Sequence, residues 1–393
     1  MAFDFLLFAL LVLALAIGWW LGHRTRRSDV PPPGVTPDLS KDYFVGLNYL
    51  LNEQPDEAIE TFVKALEVNS DTVETHLALG NLFRSRGESD RAVRVHQNLF
   101  ARPSLTREQS ERVQLELARD FMAAGLYDRA ERLLKELANR TSTAGKESQR
   151  LLVSLYEREK EWQKAINALS GSLLRDNPKL KTAAAHYACE LAAQLLAQGQ
   201  YGLARKQLKQ AQAFDPSCIR VNLLNAQLEL QSGSPKAAIR LLLRIPEQNP
   251  IFIPAMLQSL VDAHERLNQR EALIDTLKQL IEKHPYSSVL LHLADLLRAN
   301  GHTEEAINLL DERMRHQVSL KGVDYLIDLY LDQAKGEERA HLLTLRNLTT
   351  QLLAHKPEHQ CSQCGFQSLQ LFWQCPKCRE WGSVKPIFGV EGE

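Results

Sequence analysis

Four cysteines stand close together in CSQCGFQSLQLFWQCPKC, residues 361–378, as two CxxC pairs with ten residues between them. Each short loop lets both of its sulfurs face one ion. Two such loops can therefore bring Cys361, Cys364, Cys375 and Cys378 to a tetrahedral centre. The chemistry this pattern offers is thiolate ligation of one Fe or Zn ion, with free thiols or a redox dithiol as the competing readings. A closed centre of four thiolates leaves no position for a substrate, so the site reads as a fold-making one.

The segment that must position these cysteines, residues 357–393, is too short to close around an apolar core of its own. Metal binding supplies the missing folding free energy, about 10–16 kcal/mol as apparent values for such peptides. Phe366, Phe372, Trp373 and Trp381 give the module an apolar surface, expected to dock on the last helices before it. The knuckles CxxCG and CPxC resemble those of rubredoxin. Gly365 follows the first pair as in that pattern, whereas Arg379 stands where the second knuckle has glycine, and the loop between them is short. On these departures zinc is favoured over iron.

Before the module the chain repeats. GLNYLLNEQPDEAIETFVKAL, from Gly46, aligns with GNLFRSRGESDRAVRVHQNLF, from Gly80, at an offset of 34. One alanine marks each unit: Ala58, Ala92, Ala130, Ala165, Ala204, Ala238, Ala272, Ala306 and Ala340, at spacings of 34, 38, 35, 39, 34, 34, 34 and 34. With a small residue, an aromatic, a turn glycine and this alanine in order, the pattern resembles the tetratricopeptide repeat. It predicts about nine antiparallel helix pairs over residues 39–356, each burying its apolar face only against its neighbours. Small residues such as Gly80 admit a close partner helix, Phe83, Phe121 and Tyr156 fill the gap, and glycines such as Gly87 turn the chain. The longer spacings predict extended helix ends or loops. Cys189 and Cys218 read as buried small residues, and His76, His96 and His186 as packed or hydrogen-bonded ones.

The first residues carry the compartment signal. FDFLLFALLVLALAIGWWLG, Phe3–Gly22, holds a lone charge, Asp4, at its edge and is long enough as a helix to span about 30 Å. Trp19 and Trp20 sit at an interfacial position, and Arg24, Arg26 and Arg27 follow. By the positive-inside rule residues 1–22 are a single-pass transmembrane anchor with the bulk of the protein cytoplasmic. A cleaved signal peptide would carry its basic charges on the other side. Residues 23–38 form a basic stop and a proline-rich spacer. In a reducing compartment, paired CxxC motifs are metal ligands or redox thiols before they are disulfides. The formal net charge of −1 gives no basic excess and argues against nucleic acid as a partner.

No phosphate-binding GxxxxGK[ST] loop or GxSxG elbow occurs, and HERLN at His264 lacks the second histidine of a zinc-protease helix. No catalytic constellation emerges, so the reading is of a protein that is not an enzyme. The fold class read from the sequence is all-α: a tetratricopeptide-repeat solenoid with an N-terminal transmembrane helix and a small C-terminal rubredoxin-like or zinc-ribbon module.

The combination of anchor, repeats and tail, with HLALGNLFRSRGESDRAVRVHQNL, ARDFMAAGLYDRAERL, EWQKAI and CSQCGF…FWQCPKCREW…KPIFG, resembles the lipopolysaccharide assembly protein B family (LapB, also called YciM) of Gram-negative bacteria. The resemblance implies a non-catalytic inner-membrane adaptor that restrains lipopolysaccharide synthesis by promoting proteolysis of the deacetylase LpxC by the membrane protease FtsH. It implies FtsH, LpxC and other lipopolysaccharide synthesis or transport proteins as partners, and Cys361, Cys364, Cys375 and Cys378 as metal ligands. The residues alone leave two alternatives open: an iron rubredoxin-type electron-transfer protein, or a general scaffold for envelope-complex assembly.

Overall fold

The computed structural model describes residues 73–393, apart from Gln317, His355 and Glu391, together with isolated earlier positions. The expected anchor, the spacer and the first repeat, with Gly46 and Ala58, lie outside the described residues save for those isolated positions. Among the described residues no helix is long and apolar enough to cross a membrane. The chain divides into two compact units, residues 1–133 and 134–393.

In the first unit helix α1 (Val73–Ser85) pairs with α2 (Ser89–Phe100), followed by α3 (Arg107–Ala123) and the start of α4 (Tyr127–Ala138). The close approach of α1 and α2 depends on Gly80: a Cβ there would lie 2.3 Å from the ring of His96. His96 Nδ1 meets Asp120 at 2.5 Å, and Arg84 donates to both Asp120 and Glu116. His96 and Asp120 are fully buried, so this polar cluster ties three helices together where an apolar contact would serve elsewhere.

The second unit runs through α5 (Thr143–Arg158), α6 (Trp162–Ala168), the short α7 (Gly171–Asp176), α8 (Pro178–Ala197), α9 (Tyr201–Phe214), α10 (Ile219–Gln231), α11 (Pro235–Leu242) and α12 (Ile245–Gln248). A 3-10 turn at Pro250–Phe252 then leads into α13 (Ile253–Glu265), α14 (Arg270–Lys283), α15 (Ser287–Ala299), α16 (Thr303–His316), α17 (Leu320–Gln333) and α18 (Gly336–Leu353). The 39-residue alanine spacing is explained by α7, an inserted helix, and by the long α8. A continuous core follows α10 to α17 through residues such as Leu242, Met256, Leu277, Leu293 and Leu310.

One turn is used repeatedly. After α1, Gly87 has φ 83°, its N–H donates to Arg84 O, and Glu88 N–H reaches back to Phe83 O. This is the Schellman closure of a helix end. The same pair of bonds recurs where the sequence has no glycine, at Lys160 (φ 58°) and Asn268 (φ 51°). The closing bonds hold exposed Lys160 left-handed at a cost of about 1–2 kcal/mol, whereas asparagine takes that conformation more readily.

That turn sets the register of the second helix. Ala92, Ala130, Ala165, Ala204, Ala238 and Ala306 each follow their left-handed residue by five positions and are fully buried. Counting five from Asn268 gives Leu273, which is fully buried, whereas Ala272 is exposed. The expected place of Ala272 in the ladder is therefore corrected by one residue. Ala340 is exposed as well, on α18, a helix with no buried residue.

The C-terminal module contains β1 (His359–Cys361), β2 (Gln367–Ser368) and β3 (Val384–Pro386), antiparallel in the order β2-β1-β3. The small sheet holds the first knuckle at its end.

Candidate metal centre and its seat on the repeats

The knuckles are built alike. Gly365 N–H donates to Cys361 O at 3.0 Å, and Arg379 N–H to Cys375 O at 2.8 Å. Both donors sit in the left-handed region, Gly365 at φ 71° and Arg379 at φ 61°. Arg379 thus takes the backbone shape that glycine would supply, and the departure from the rubredoxin pattern changes the side chain but not the loop.

These loops bring the four Sγ atoms within 4.8 Å of one another. Cys361 and Cys378 lie 3.7 Å apart, and Cys364 and Cys375 3.6 Å. A zinc–sulfur bond of about 2.3 Å gives a tetrahedral edge of about 3.8 Å, so the spacing fits one ion with four thiolate ligands. Cys361 and Cys375 are buried and Cys378 is exposed. Cys361 Sγ donates to Ser383 Oγ at 3.2 Å, Ser383 Oγ donates in turn to Glu380 O at 3.0 Å, and Gln363 N–H approaches the Cys361 sulfur at 3.4 Å. Burial works to raise the Cys361 thiol, but the hydrogen bonds with Ser383, the Cys364 amide and the Gln363 amide outweigh it and bring it down to about 6. Cys378 feels the Glu380 amide pulling down, but desolvation and its three neighbouring thiols push it up to about 12. Protons on such thiols must leave as an ion enters, so affinity for a metal rises with pH. The donor set suits zinc or iron; donors to sulfur of the kind at Cys361 tune either.

The module's seat is built from aromatic rings. Trp381 stacks on His186 with centroids 4.9 Å apart and meets Trp162 and Tyr187 edge-on at 6.0 and 5.8 Å. Trp373 stacks on Phe252 at 5.7 Å and carries the Arg220 guanidinium over its ring at 5.6 Å. Below the rings, the Glu157 carboxylate accepts from Gln374 Nε2 at 2.7 Å, from Trp381 Nε1 at 3.1 Å and from the Tyr187 hydroxyl. Burial, then the Glu157 charge, pushes the Tyr187 hydroxyl far up, so it remains a donor. His186 is brought down to about 3, by burial first and the Arg220 charge second, and its Nδ1 has no hydrogen-bond partner.

The expected docking on the last helices needs correction. Trp373 and Trp381 seat on α5, α6, α8, α10 and the turn at Phe252, in the middle of the array, because rings suited to stack on them occur there. Phe366 and Phe372 pair with each other at 6.3 Å, and Phe372 remains exposed. The later helices are reached instead by Glu358, just before β1, and by the tail: Lys321 pairs with Glu358 at 2.8 Å, and Leu320 N–H donates to Val390 O at 2.8 Å. Glu157 and Arg220 look like ordinary helix residues in the sequence, and His186 reads there only as a packed or hydrogen-bonded one. A charged residue directly after the core aromatic Tyr156 was the available hint.

Comparison with known proteins places the chain among relatives. Residues 359–386 match a family described as rubredoxin metal binding domain. Residues 43–72, 75–107, 115–179 and 195–258 match tetratricopeptide repeat families. Lipopolysaccharide assembly protein B of Escherichia coli K12 is 35% identical over 388 residues, covering 98% of this chain and 99% of that protein. The protein of the same name from Haemophilus influenzae is 34% identical over 399 residues, again covering 98% and 99%. A solved tetratricopeptide repeat protein from Parabacteroides merdae aligns with 66% of this chain at 14% identity and a TM-score of 0.33.

Proposed function

The chain belongs to the lipopolysaccharide assembly protein B family, and from that membership we propose that it is a non-catalytic inner-membrane adaptor restraining lipopolysaccharide synthesis. In this reading it promotes FtsH-mediated proteolysis of LpxC through protein–protein contacts. Residues 3–22 cross the membrane once and the bulk of the chain stays cytoplasmic. Tethering beside a membrane protease raises the effective concentration of adaptor and substrate without a tight contact.

The observation that carries the reading is the seat of the four-cysteine module. Glu157, His186, Arg220 and Phe252 come from different helix pairs and converge on two tryptophans of one small module. Such an arrangement makes a metal-dependent clamp on the repeats, which suits a rigid platform for partners. Cys361, Cys364, Cys375 and Cys378 hold the ion, proposed to be zinc, whose contribution is to fold the module. Iron would instead give a red protein with thiolate-to-iron absorption, and a colourless protein with one equivalent of zinc excludes that form.

The test is deletion of residues 1–27. The shortened chain is expected to be soluble and folded and to bind metal, while LpxC abundance in cells that depend on it rises. Normal LpxC levels with the shortened chain would remove tethering from the account, and levels unchanged by loss of the whole protein would leave a general scaffold instead.

A further inference from the structure

Phe388, Val390 and Glu393 fold back onto the later repeats. The Glu393 carboxylate accepts from Ser288 N–H at 2.9 Å, and Val390 O accepts from Leu320 N–H at 2.8 Å. Ser288 and Leu320 lie in the first turns of α15 and α17, where backbone N–H groups lack intrahelical partners. Tyr286, at the start of α15, offers no side-chain cap, so a residue 105 positions away supplies it. A carboxylate is also the charge that a helix N-terminus favours.

Beside these bonds lies a cavity of about 190 Å³. Ile281, Leu290 and Met314 make its lining apolar, and Arg313 and His316 add cationic or titratable groups. Neither Arg313 nor His316 is ion-paired with a described residue. Ser288 Oγ, buried next to the Glu393 contact, has no hydrogen-bond partner. The tail touches only the margin: the Phe388 ring meets Tyr286 at 5.1 Å, yet Phe388 and Val390 stay 45% and 53% exposed. The apolar lining and the guanidinium thus go unused by the segment that borders the site.

We infer that this cleft between α15 and α17 is a receptor for a short acidic segment of a partner protein, one bearing an apolar side chain next to a Glu or Asp. The tail holds its margin in cis as a weak stand-in. The partner's carboxylate takes the place of Glu393 at the Ser288 amide, its apolar side chain enters the cavity, and Arg313 supplies the opposing charge. The site goes beyond the adaptor reading and is tested by binding alone, with no reference to LpxC.

A fluorescein-labelled peptide of residues 386–393, PIFGVEGE, serves as the probe in fluorescence anisotropy with the full chain. An attached segment competes at millimolar effective concentration, so Glu393→Lys is expected to bind the free peptide about tenfold more tightly than the unaltered chain. Adding Arg313→Glu should abolish that gain. Equal affinity for the unaltered and Glu393→Lys chains, no binding to either with helical circular dichroism intact, or a gain indifferent to Arg313→Glu overturns the proposal. If Glu393→Lys fails to fold, a chain ending at Ile387 provides the same comparison.

Discussion

At the scale of single residues, Glu157 and His186 carry more of the structure than their types suggest. The Glu157 carboxylate has three donors of its own and stands 3.6 Å from Arg379 Nη2. Hydrogen bonds to a charged group contribute about 1.5–3 kcal/mol each and are not additive, so Glu157→Ala should weaken docking of the module by roughly 2–4 kcal/mol. The expected readout is faster hydrogen exchange in residues 357–393 with the other helices still protected; unchanged protection of the module would contradict the assignment. His186 makes a prediction with a sign. Its imidazole titrates near 6.5 when released but only at about 3 in place, so the released state binds more protons between those values. Stability of the seat therefore falls as pH drops below 6.5, by at most about 1.4 kcal/mol per unit. His186→Phe keeps the stack on Trp381 without the proton. Tryptophan-monitored urea midpoints at about pH 7 and pH 5 should separate for the native chain more than for the variant. Equal separations would show that other groups, the thiols among them, set the pH dependence.

At the scale of elements, the module and the repeats obey different rules. Replacing Cys375 and Cys378 with Ser removes two of four ligands, and a segment this short has no apolar core to fall back on. The expected outcome is loss of bound metal and of protection in residues 357–393, with most helical circular dichroism retained, because repeats couple mainly to their neighbours. Unchanged metal content would contradict the ligand assignment. Trp373 reaches the core that runs from α10 to α17, so a modest drop in melting temperature should accompany the loss. Helix pairing follows close approach instead. Gly80→Ala places a methyl against the His96 ring, and overpacking of that kind costs about 1–3 kcal/mol. The cost should appear in the urea midpoint and fall when His96 is shortened as well.

At the scale of the molecule, the second unit spaces its helices by repeat geometry and ties them across by the module. Trp381 rests on α6 and α8, Trp373 on α10 and Phe252, and the tail on α15 and α17. Contacts of such range are uncommon in a repeat stack, where each pair ordinarily meets only the next. Removing metal from the full chain with a chelator should therefore broaden thermal unfolding into more than one step, as coupling between distant pairs is lost. A transition that stays as sharp as before would show that the module rides on the repeats without coupling them.

What the sequence by itself determined is what rests on short-range geometry. Two CxxC loops mark which sulfurs can meet, because each loop spans only four residues and its closure is local. A 34-residue recurrence of small, aromatic and turn positions marks the helix pairs, because those positions recur wherever two helices must pack closely. The tertiary structure alone decided where the pairs turn without glycine, since the helix ends at Lys160 and Asn268 close by the same backbone bonds, and the turn at Asn268 puts Leu273 rather than Ala272 in the core. It also decided where the module sits. Trp373 and Trp381 advertise an apolar surface in any fold, but the Glu157, His186 and Arg220 that receive them are separated from it by 150 residues or more of chain. Nothing in local spacing encodes a contact of that range; it arises from the path that the stacked helices take.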